Sequence, residues 1–339
     1  MRIVVLAPSP GRLETITNMK EDYDSVVLPT GVDLAALARL LPAGPRTRFA
    51  PAPTGWLHLG HVLNARYVWG ISQAVGGRVL LRIEDHDRER CRPEFETGIL
   101  DDLDWLGFAP DVFATNDFRA GRCEGRQSDR EHGYLDAVDT LRARGLVYGC
   151  DCSRKDILAA TGGSESADEL FYPGTCRERG RPLSADVGWR VRLDSDRDGR
   201  EIVQVEFLKD EFLKDEFFKD EFFNDAMLGP QSQDPLTQCG DVLIRDRRGN
   251  WTYQFAAAVD DWLQQIDLVI RGRDLLPSTG RQIRLARMLG RERPAVFLHH
   301  PLIMKSAGQK LSKSDRDTGV RELRASGWSA RRVIESALT

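Results

Sequence analysis

From Thr47 onward the chain alternates short apolar runs with longer amphipathic ones, each closed by glycine, proline or carboxylates. That alternation restricts the fold more than any other feature. RTRFAPAP (46–53) reads as a strand entering a turn, and HLGHVLNARYVWGISQAV as an amphipathic helix stopped by Gly76-Gly77. RVLLRIED is a buried-type strand from Val79 to Ile83 that ends in carboxylates. PEFETGILDDLDWLG is a helix with Pro93 at its start and Gly107 as its stop. Strand–helix alternation of this kind implies an α/β fold with a parallel sheet covered by helices. Ligands in such sheets sit beyond the carboxyl ends of the strands, so the turns after the first two strands are where chemistry is expected.

The pattern resumes further on. Strands are expected at WRVRL, IVQVEF, CGDVLIRD, DLVIRG and AVFLHHPLIM, helices at YQFAAAVDDWLQ and TGRQIRLARMLG, and one or two short helices at the end. DELFYPGTCRERGRP reads as irregular. Residues 1–46 offer a short strand (RIVVLAP), a short helix (VDLAALARLL) and no chemistry; they read as an extension, with Met19 a candidate start.

The 339 residues are 41% hydrophobic and 29% charged, the balance of a water-soluble globular chain. No apolar run is long enough to span a bilayer, and IVVLA is too short for a signal-peptide core. A cytosolic protein is expected, in which clustered cysteines suit metal better than disulfides. The net charge of −4 is distorted by residues 206–225, EFLKDEFLKDEFFKDEFFND, which carry a net of −5. Charge therefore neither supports nor excludes an RNA partner. The five-residue period of that repeat suits neither helix nor strand, and it reads as an expansion lengthening an exposed hairpin.

Three clusters carry possible chemistry. His58-Leu59-Gly60-His61 follows a Pro-Thr-Gly turn and opens a helix. Free N–H groups and the positive helix end attract phosphate there, and two imidazoles one turn apart add donors. Alone, the tetrapeptide is equally compatible with two structural histidines. KLSKS, Lys310 to Ser314, places two lysines in a Gly/Ser-rich loop that can close over a phosphate chain, or that is merely solvated. Cys150-x-Cys152 with Tyr172 and Cys176 offers three thiolates and a phenol, compatible with a tetrahedral zinc site or with buried thiols.

RFAPAPTGWLHLGH, LLRIEDHDRER, YQFAAAVDD, VIRGRDLL and KLSKS, in that order over residues 46–328, resemble the glutamate-specific class I aminoacyl-tRNA synthetases. The resemblance implies a Rossmann-type, doubly wound parallel sheet over 47–314. It also implies an inserted acceptor-binding region at about 108–240, with a zinc site at 150–176, and a short helical segment at 315–339. His58 and His61 resemble the HIGH signature and Lys310 to Ser314 the KMSKS signature. His58, Gly60, His61 and Lys313 are thus implied to bind ATP, taken with Mg²⁺, and His58, His61, Lys310 and Lys313 to act in catalysis. Arg48, Phe49, Ala50, Pro51, Ala52, Glu84, Tyr253 and Arg271 are implied to form the L-glutamate pocket. The family usually has Ser where Ala52 stands. Guanidinium groups suit a free γ-carboxylate, since charge-assisted forks outweigh neutral hydrogen bonds.

The Cys150, Cys152, Tyr172, Cys176 pattern is similar to that of a compact branch, the glutamyl-queuosine tRNA(Asp) synthetases, and implies one structural zinc ion. After Ser314 only residues 315–339 remain, so no anticodon-binding domain is expected. The implied activity is activation of L-glutamate by ATP and its transfer to queuosine at the wobble position of tRNA(Asp). The alternatives are a short ligase charging the 3′ end of tRNA(Glu), or a non-catalytic paralogue. A monomer is expected.

Overall fold

Strand β1 (Arg46–Phe49) sits inside a six-stranded sheet, and its neighbours explain why nearly every residue in it is buried. The computed structural model describes residues 31–162, 170–193, 220–306, 309–310 and 319–337. The strands expected at 2–8 and 202–207, the candidate start Met19, most of the repeat, and Leu311 to Ser314 lie outside the described residues.

In chain order, α1 (Leu34–Leu40) precedes β1, and α2 (Leu59–Ala74) leads to β2 (Arg78–Leu81). α3 (Pro93–Leu106), α4 (Thr115–Arg119) and α5 (Glu131–Ala143) follow. The next elements are β3 (Val147–Cys150), α6 (Arg154–Thr161) and β4 (Gly188–Val191). Then come β5 (Glu221–Asp225), β6 (Gly229–Gln233), α7 (Pro235–Cys239) and β7 (Val242–Arg245). α8 (Tyr253–Leu263), β8 (Leu268–Gly272), α9 (Thr279–Met288) and β9 (Val296–His300) continue the alternation. A small ribbon of β10 (Met304–Ser306) and β11 (Gln309–Lys310) precedes α10 (Val320–Ala325) and α11 (Ala330–Ser336).

The large sheet runs β2-β1-β8-β9-β5-β6 and is parallel except for β6, which pairs antiparallel with β5. The register Arg46↔Arg78 to Phe49↔Leu81 aligns the ends of β1 and β2, and Leu268↔Val296 to Gly272↔His300 aligns those of β8 and β9. Four strands therefore deliver their carboxyl ends to one edge. A smaller antiparallel sheet, β3-β4-β7, packs with α5, α8 and α9 around a second core.

α2 is buried along most of its length because it is sandwiched, with β1 and β2 on one side and α11 on the other. Arg66 Nη1 donates to the Ile334 carbonyl at 3.1 Å and ties the last helix to it. α3 ends as expected at Gly107, whose φ of 81° is the left-handed cap that glycine adopts without a Cβ clash. No helix among the described residues is long and apolar enough to cross a membrane.

The repeat requires a correction. Its last unit, Glu221–Asp225, does form a hairpin with β6, but the hairpin is not an exposed one: β5 is a strand of the large sheet, paired on its other side with β9. Glu221, Phe223 and Asp225 point inward while Phe222 is exposed, which is strand alternation imposed by burial on one face. Glu221 is paired with Arg284 and Arg287 of α9. The odd period conceals this strand, because within a single unit the alternation Glu-x-Phe-x-Asp is regular. The chain segment 108–240 thus contributes β3 and β4 to the small sheet and β5 and β6 to the large one.

Candidate functional site

The turn after β1 carries the two histidines. His58 is extended (φ −130°) and caps α2, its Nδ1 accepting the Gly60 N–H at 3.0 Å. His61 reaches back, its Nδ1 accepting the His58 N–H at 3.1 Å, so the two residues form a reciprocal cap with ring centroids 4.0 Å apart. Because both Nδ1 atoms accept, each neutral ring carries its proton on Nε2, the distal nitrogen. Gly60 has a specific task here, since a Cβ on it would lie 2.8 Å from His58 Cε1. Its smallness admits the His58 ring itself. Gly319 forms a bridge with His58, and the Val320 N–H donates to the Leu57 carbonyl at 2.9 Å. The chain that follows KLSKS is thereby returned to the histidines. Of that motif, Lys310 is placed as backbone in β11, and Lys313 lies outside the described residues.

A second group gathers at the same sheet edge. Arg48 projects from β1 and is buried, with Nε 3.1 Å from Asp261 Oδ1 and Nη1 donating to the Ile270 carbonyl at 3.1 Å. Glu84 follows β2, its N–H held by the Pro51 carbonyl at 3.0 Å. Burial raises the Glu84 carboxyl above its ordinary range, against the pull of Arg82, His86 and Arg48. Tyr253 opens α8 beside Arg271, and burial raises its phenol while Arg271 and Arg48 oppose. Arg271, near the end of β8, is lowered by burial. Its three nitrogens donate to His299 Nε2 (3.0 Å), Gln282 Oε1 (2.7 Å) and Thr279 Oγ1 (2.8 Å).

Phe49 and Pro51 are committed to the sheet rather than to open space. The Phe49 ring packs on Trp69 at 5.3 Å, and its carbonyl accepts the Arg82 N–H at 2.9 Å. Ala50 and Ala52 line the turn between them and are partly exposed.

Several residues outside the sequence expectation hold this group in place. Arg82 is wholly buried and donates to Asp261 Oδ1 (2.7 Å) and Gln264 Oε1 (2.9 Å), with Glu84 Oε1 3.6 Å from Nη1. Asp260 accepts from Gln127, Arg130 and Tyr134 at 2.8, 2.8 and 2.9 Å. His299 is buried between Arg271 and Asp225, and burial lowers it against the opposing pull of Asp225. Arg82 and Asp261 stand inside RIED and VDD, so a signal existed. It was unreadable as a pair, because the two residues come from different elements.

The cysteine cluster lies apart, on the small sheet. Cys150, Cys152 and Cys176 bring their sulfurs within 4.8 Å of one another, with Cys152 and Cys176 3.5 Å apart. The Tyr172 hydroxyl is 3.3 Å from Cys150 Sγ and 3.9 Å from Cys152 Sγ, and it accepts the Cys176 N–H at 2.9 Å. Three thiolates around zinc at ~2.3 Å each would stand ~3.8 Å apart, so the donor set fits that ion with little movement. Burial and the neighbouring Cys176 and Cys150 thiols push Cys152 up to about 12. Cys91, Cys123 and Cys239 are not part of the cluster.

The chain resembles known proteins along most of its length. A family model for the catalytic domain of class I tRNA synthetases (E and Q) matches residues 45–336. The glutamyl-Q tRNA(Asp) synthetase of Rhodobacter capsulatus is 38% identical over 292 residues, covering 84% of this chain and 96% of that one. That of Nitratidesulfovibrio vulgaris is 35% identical over 294 residues, covering 85% and 83%. Among solved structures, a glutamate tRNA ligase from Elizabethkingia meningosepticum in complex with its amino acid is similar with a TM-score of 0.61 and 27% identity. That match covers 81% of this chain and 53% of the ligase, so the chain spans about half the ligase's length. The sheet edge that gathers the two histidines and the buried arginines is therefore that of a chain belonging to the class I tRNA synthetases (E and Q), within the glutamyl-Q tRNA(Asp) synthetase family.

Proposed function

We propose that the chain is a ligase that activates L-glutamate with ATP and transfers it to queuosine in tRNA(Asp). One observation carries the reading: the His58 and His61 imidazoles at the start of α2 and a group of buried Arg48, Glu84 and Arg271 with half-buried Tyr253 lie beyond the carboxyl ends of the same parallel strands. A glutamate carboxylate oxygen attacks the α-phosphorus of ATP, the bond to the bridging oxygen breaks, and pyrophosphate leaves with glutamyl-adenylate formed. The Nε2–H groups of His58 and His61 donate to phosphate oxygens as charge builds on them. Lys313, and Lys310 beside it, neutralise the departing pyrophosphate. Mg²⁺ enters with ATP and screens its charge.

Two guanidinium groups in one desolvated pocket favour a dicarboxylate. Arg271 takes the γ-carboxylate with Tyr253, while Glu84 receives the ammonium group, which relieves the penalty that burial places on its charge. Ala52 provides no hydroxyl, so one contact common in the wider family is missing. Transfer releases AMP and leaves glutamate on the acceptor. Cys150, Cys152, Cys176 and Tyr172 would hold a zinc ion beside the small sheet, where its role would be structural.

The test supplies purified protein, ATP, magnesium and labelled glutamate to queuosine-containing tRNA(Asp) and to tRNA(Glu) separately. Label on tRNA(Asp) that survives removal of its terminal adenosine and requires queuosine supports the reading. Label on the 3′ end of tRNA(Glu) replaces it with a short glutamate–tRNA ligase. Absence of glutamate-dependent pyrophosphate exchange would leave a non-catalytic paralogue.

A further inference from the structure

Behind Arg271 runs a fixed line of hydrogen bonds. Arg271 Nε donates to His299 Nε2 at 3.0 Å, and His299 Nδ1 lies 2.5 Å from Asp225 Oδ2. Arg271 Nε is always a donor, so His299 Nε2 must accept, and the imidazole proton must sit on Nδ1, facing the carboxylate. Thr279 Oγ1, 3.2 Å from the same Nε2 and 2.8 Å from Arg271 Nη2, closes the arrangement. All four side chains are buried. Phe297 stacks parallel to His299 at 5.9 Å and lies 5.5 Å from the Arg271 guanidinium, leaving the imidazole little room to turn.

Asp225 is itself immobilised. Its Oδ1 accepts the Met227 and Leu228 N–H groups at 2.9 Å each, and its Oδ2 accepts the His299 N–H at 3.1 Å as well as the ring proton. Every neighbour of this carboxylate is thus a donor, and only an acceptor-only group satisfies them all. Asp225 is also the last residue of the repeat, delivered to the inner face by the strand β5.

We propose that Asp225 is a positioning residue for substrate glutamate: it fixes the His299 tautomer, and His299 in turn fixes the rotation of the Arg271 guanidinium that meets the γ-carboxylate. The inference rests on the glutamate-activating reading for the role of Arg271. The consequence for Asp225→Asn is specific. Its Oδ1 must stay toward Met227 and Leu228, so its amide nitrogen replaces Oδ2 and faces two N–H donors. The backbone N–H cannot change. The imidazole can, by moving its proton to Nε2, which then opposes the Arg271 Nε–H donor to donor. The side-chain volume is unchanged, so the effect is one of orientation.

The experiment compares wild type and Asp225→Asn in glutamate-dependent ATP–pyrophosphate exchange. It also reads the His299 tautomer from ¹⁵N shifts in histidine-labelled protein at pH 7.5, assigned by the signal lost in His299→Gln. The expected result is a glutamate KM raised about tenfold, an ATP KM within twofold of wild type, and a wild-type ring protonated on Nδ1. A purely structural Asp225 would instead lower activity without separating the two KM values, and that outcome overturns the proposal. A wild-type ring protonated on Nε2, or on both nitrogens, overturns it even if the variant does not fold. Wild-type protein without glutamate-dependent exchange counts against the proposed activity, and the tautomer then decides on the relay alone.

Discussion

Arg82 Nη2 lies 2.7 Å from Asp261 Oδ1, and the same oxygen takes Arg48 Nε at 3.1 Å. One carboxylate thus holds two buried guanidinium groups, one from β1 and one from the turn after β2. Burial alone would raise Asp261, but Arg48 and Arg82 overcome it and hold the carboxyl at about 2. A depressed folded-state pKa contributes stability above the ordinary carboxylate value and loses it as pH falls between about 4 and 2. Asp261→Asn leaves both arginines short of a counter-charge and is expected to cost about 3 kcal/mol at pH 7. Denaturant titrations at pH 7 and across the acid range would check both. A variant as stable as wild type at pH 7 would show that the carboxylate is not needed to hold the pair.

Gly60 separates activity from stability. An alanine in the first turn of α2 favours the helix by roughly 0.5–1 kcal/mol over glycine, yet its Cβ would displace the His58 ring. The displaced ring also gives up its cap on the Gly60 N–H, which offsets that gain, so Gly60→Ala is expected to melt close to the wild-type temperature while pyrophosphate exchange falls by about tenfold or more. Full activity with an unchanged ATP KM would mean that the His58 orientation is unimportant.

The zinc reading makes Tyr172 the discriminating residue. Protein purified without chelator is expected to carry one zinc per chain, and Cys176→Ser to lose it. Tyr172→Phe keeps the ring beneath Arg190, whose guanidinium lies 3.7 Å from its centroid, but removes the hydroxyl between the sulfurs. If that oxygen is the fourth ligand, chelator competition should show zinc affinity reduced by about tenfold or more. Equal affinity would assign the hydroxyl to the Cys176 N–H and leave the fourth position to something else.

Asp102 provides a pH dependence unrelated to the site. It is buried on α3, its Oδ2 has no hydrogen-bond partner among the described residues, and burial pushes it up to about 7, with Arg324 opposing. The folded protein keeps this proton from about pH 4 to 7 while the unfolded chain releases it, so stability falls as pH rises through that window. Asp102→Asn should accordingly be more stable than wild type at pH 8, by about 4 kcal/mol, and nearly indistinguishable from it at pH 4. Differential melting curves at the two pH values would show it, and an equal offset at both would contradict it.

The helices and parallel strands were legible because their signals are local. Gly107 and Pro93 bracket α3, the alternation of short and long apolar runs marks β1, α2 and β2, and the end of β1 places His58 at a helix N-terminus. Of the residues named from motif resemblance, Arg48, Glu84, Tyr253 and Arg271 lie close together, whereas Phe49 and Pro51 are packed into the sheet, and a glutamate-binding role for the group is the proposal made above.

By itself, then, the amino-acid sequence determined the alternating architecture and the turn that sets His58 and His61 at a helix start, and the resemblance singled out Cys150, Cys152, Tyr172 and Cys176. Those features depend on neighbours a few residues apart, or on residue types with few other uses. Only the tertiary structure decided that the end of a low-complexity repeat is a core strand, that Asp261 serves two arginines, and that Asp225 reaches Arg271 through His299. Each of these joins residues that are unremarkable alone and distant along the chain. Their meaning comes from burial, because a charge removed from water must find its partner wherever the fold has placed one.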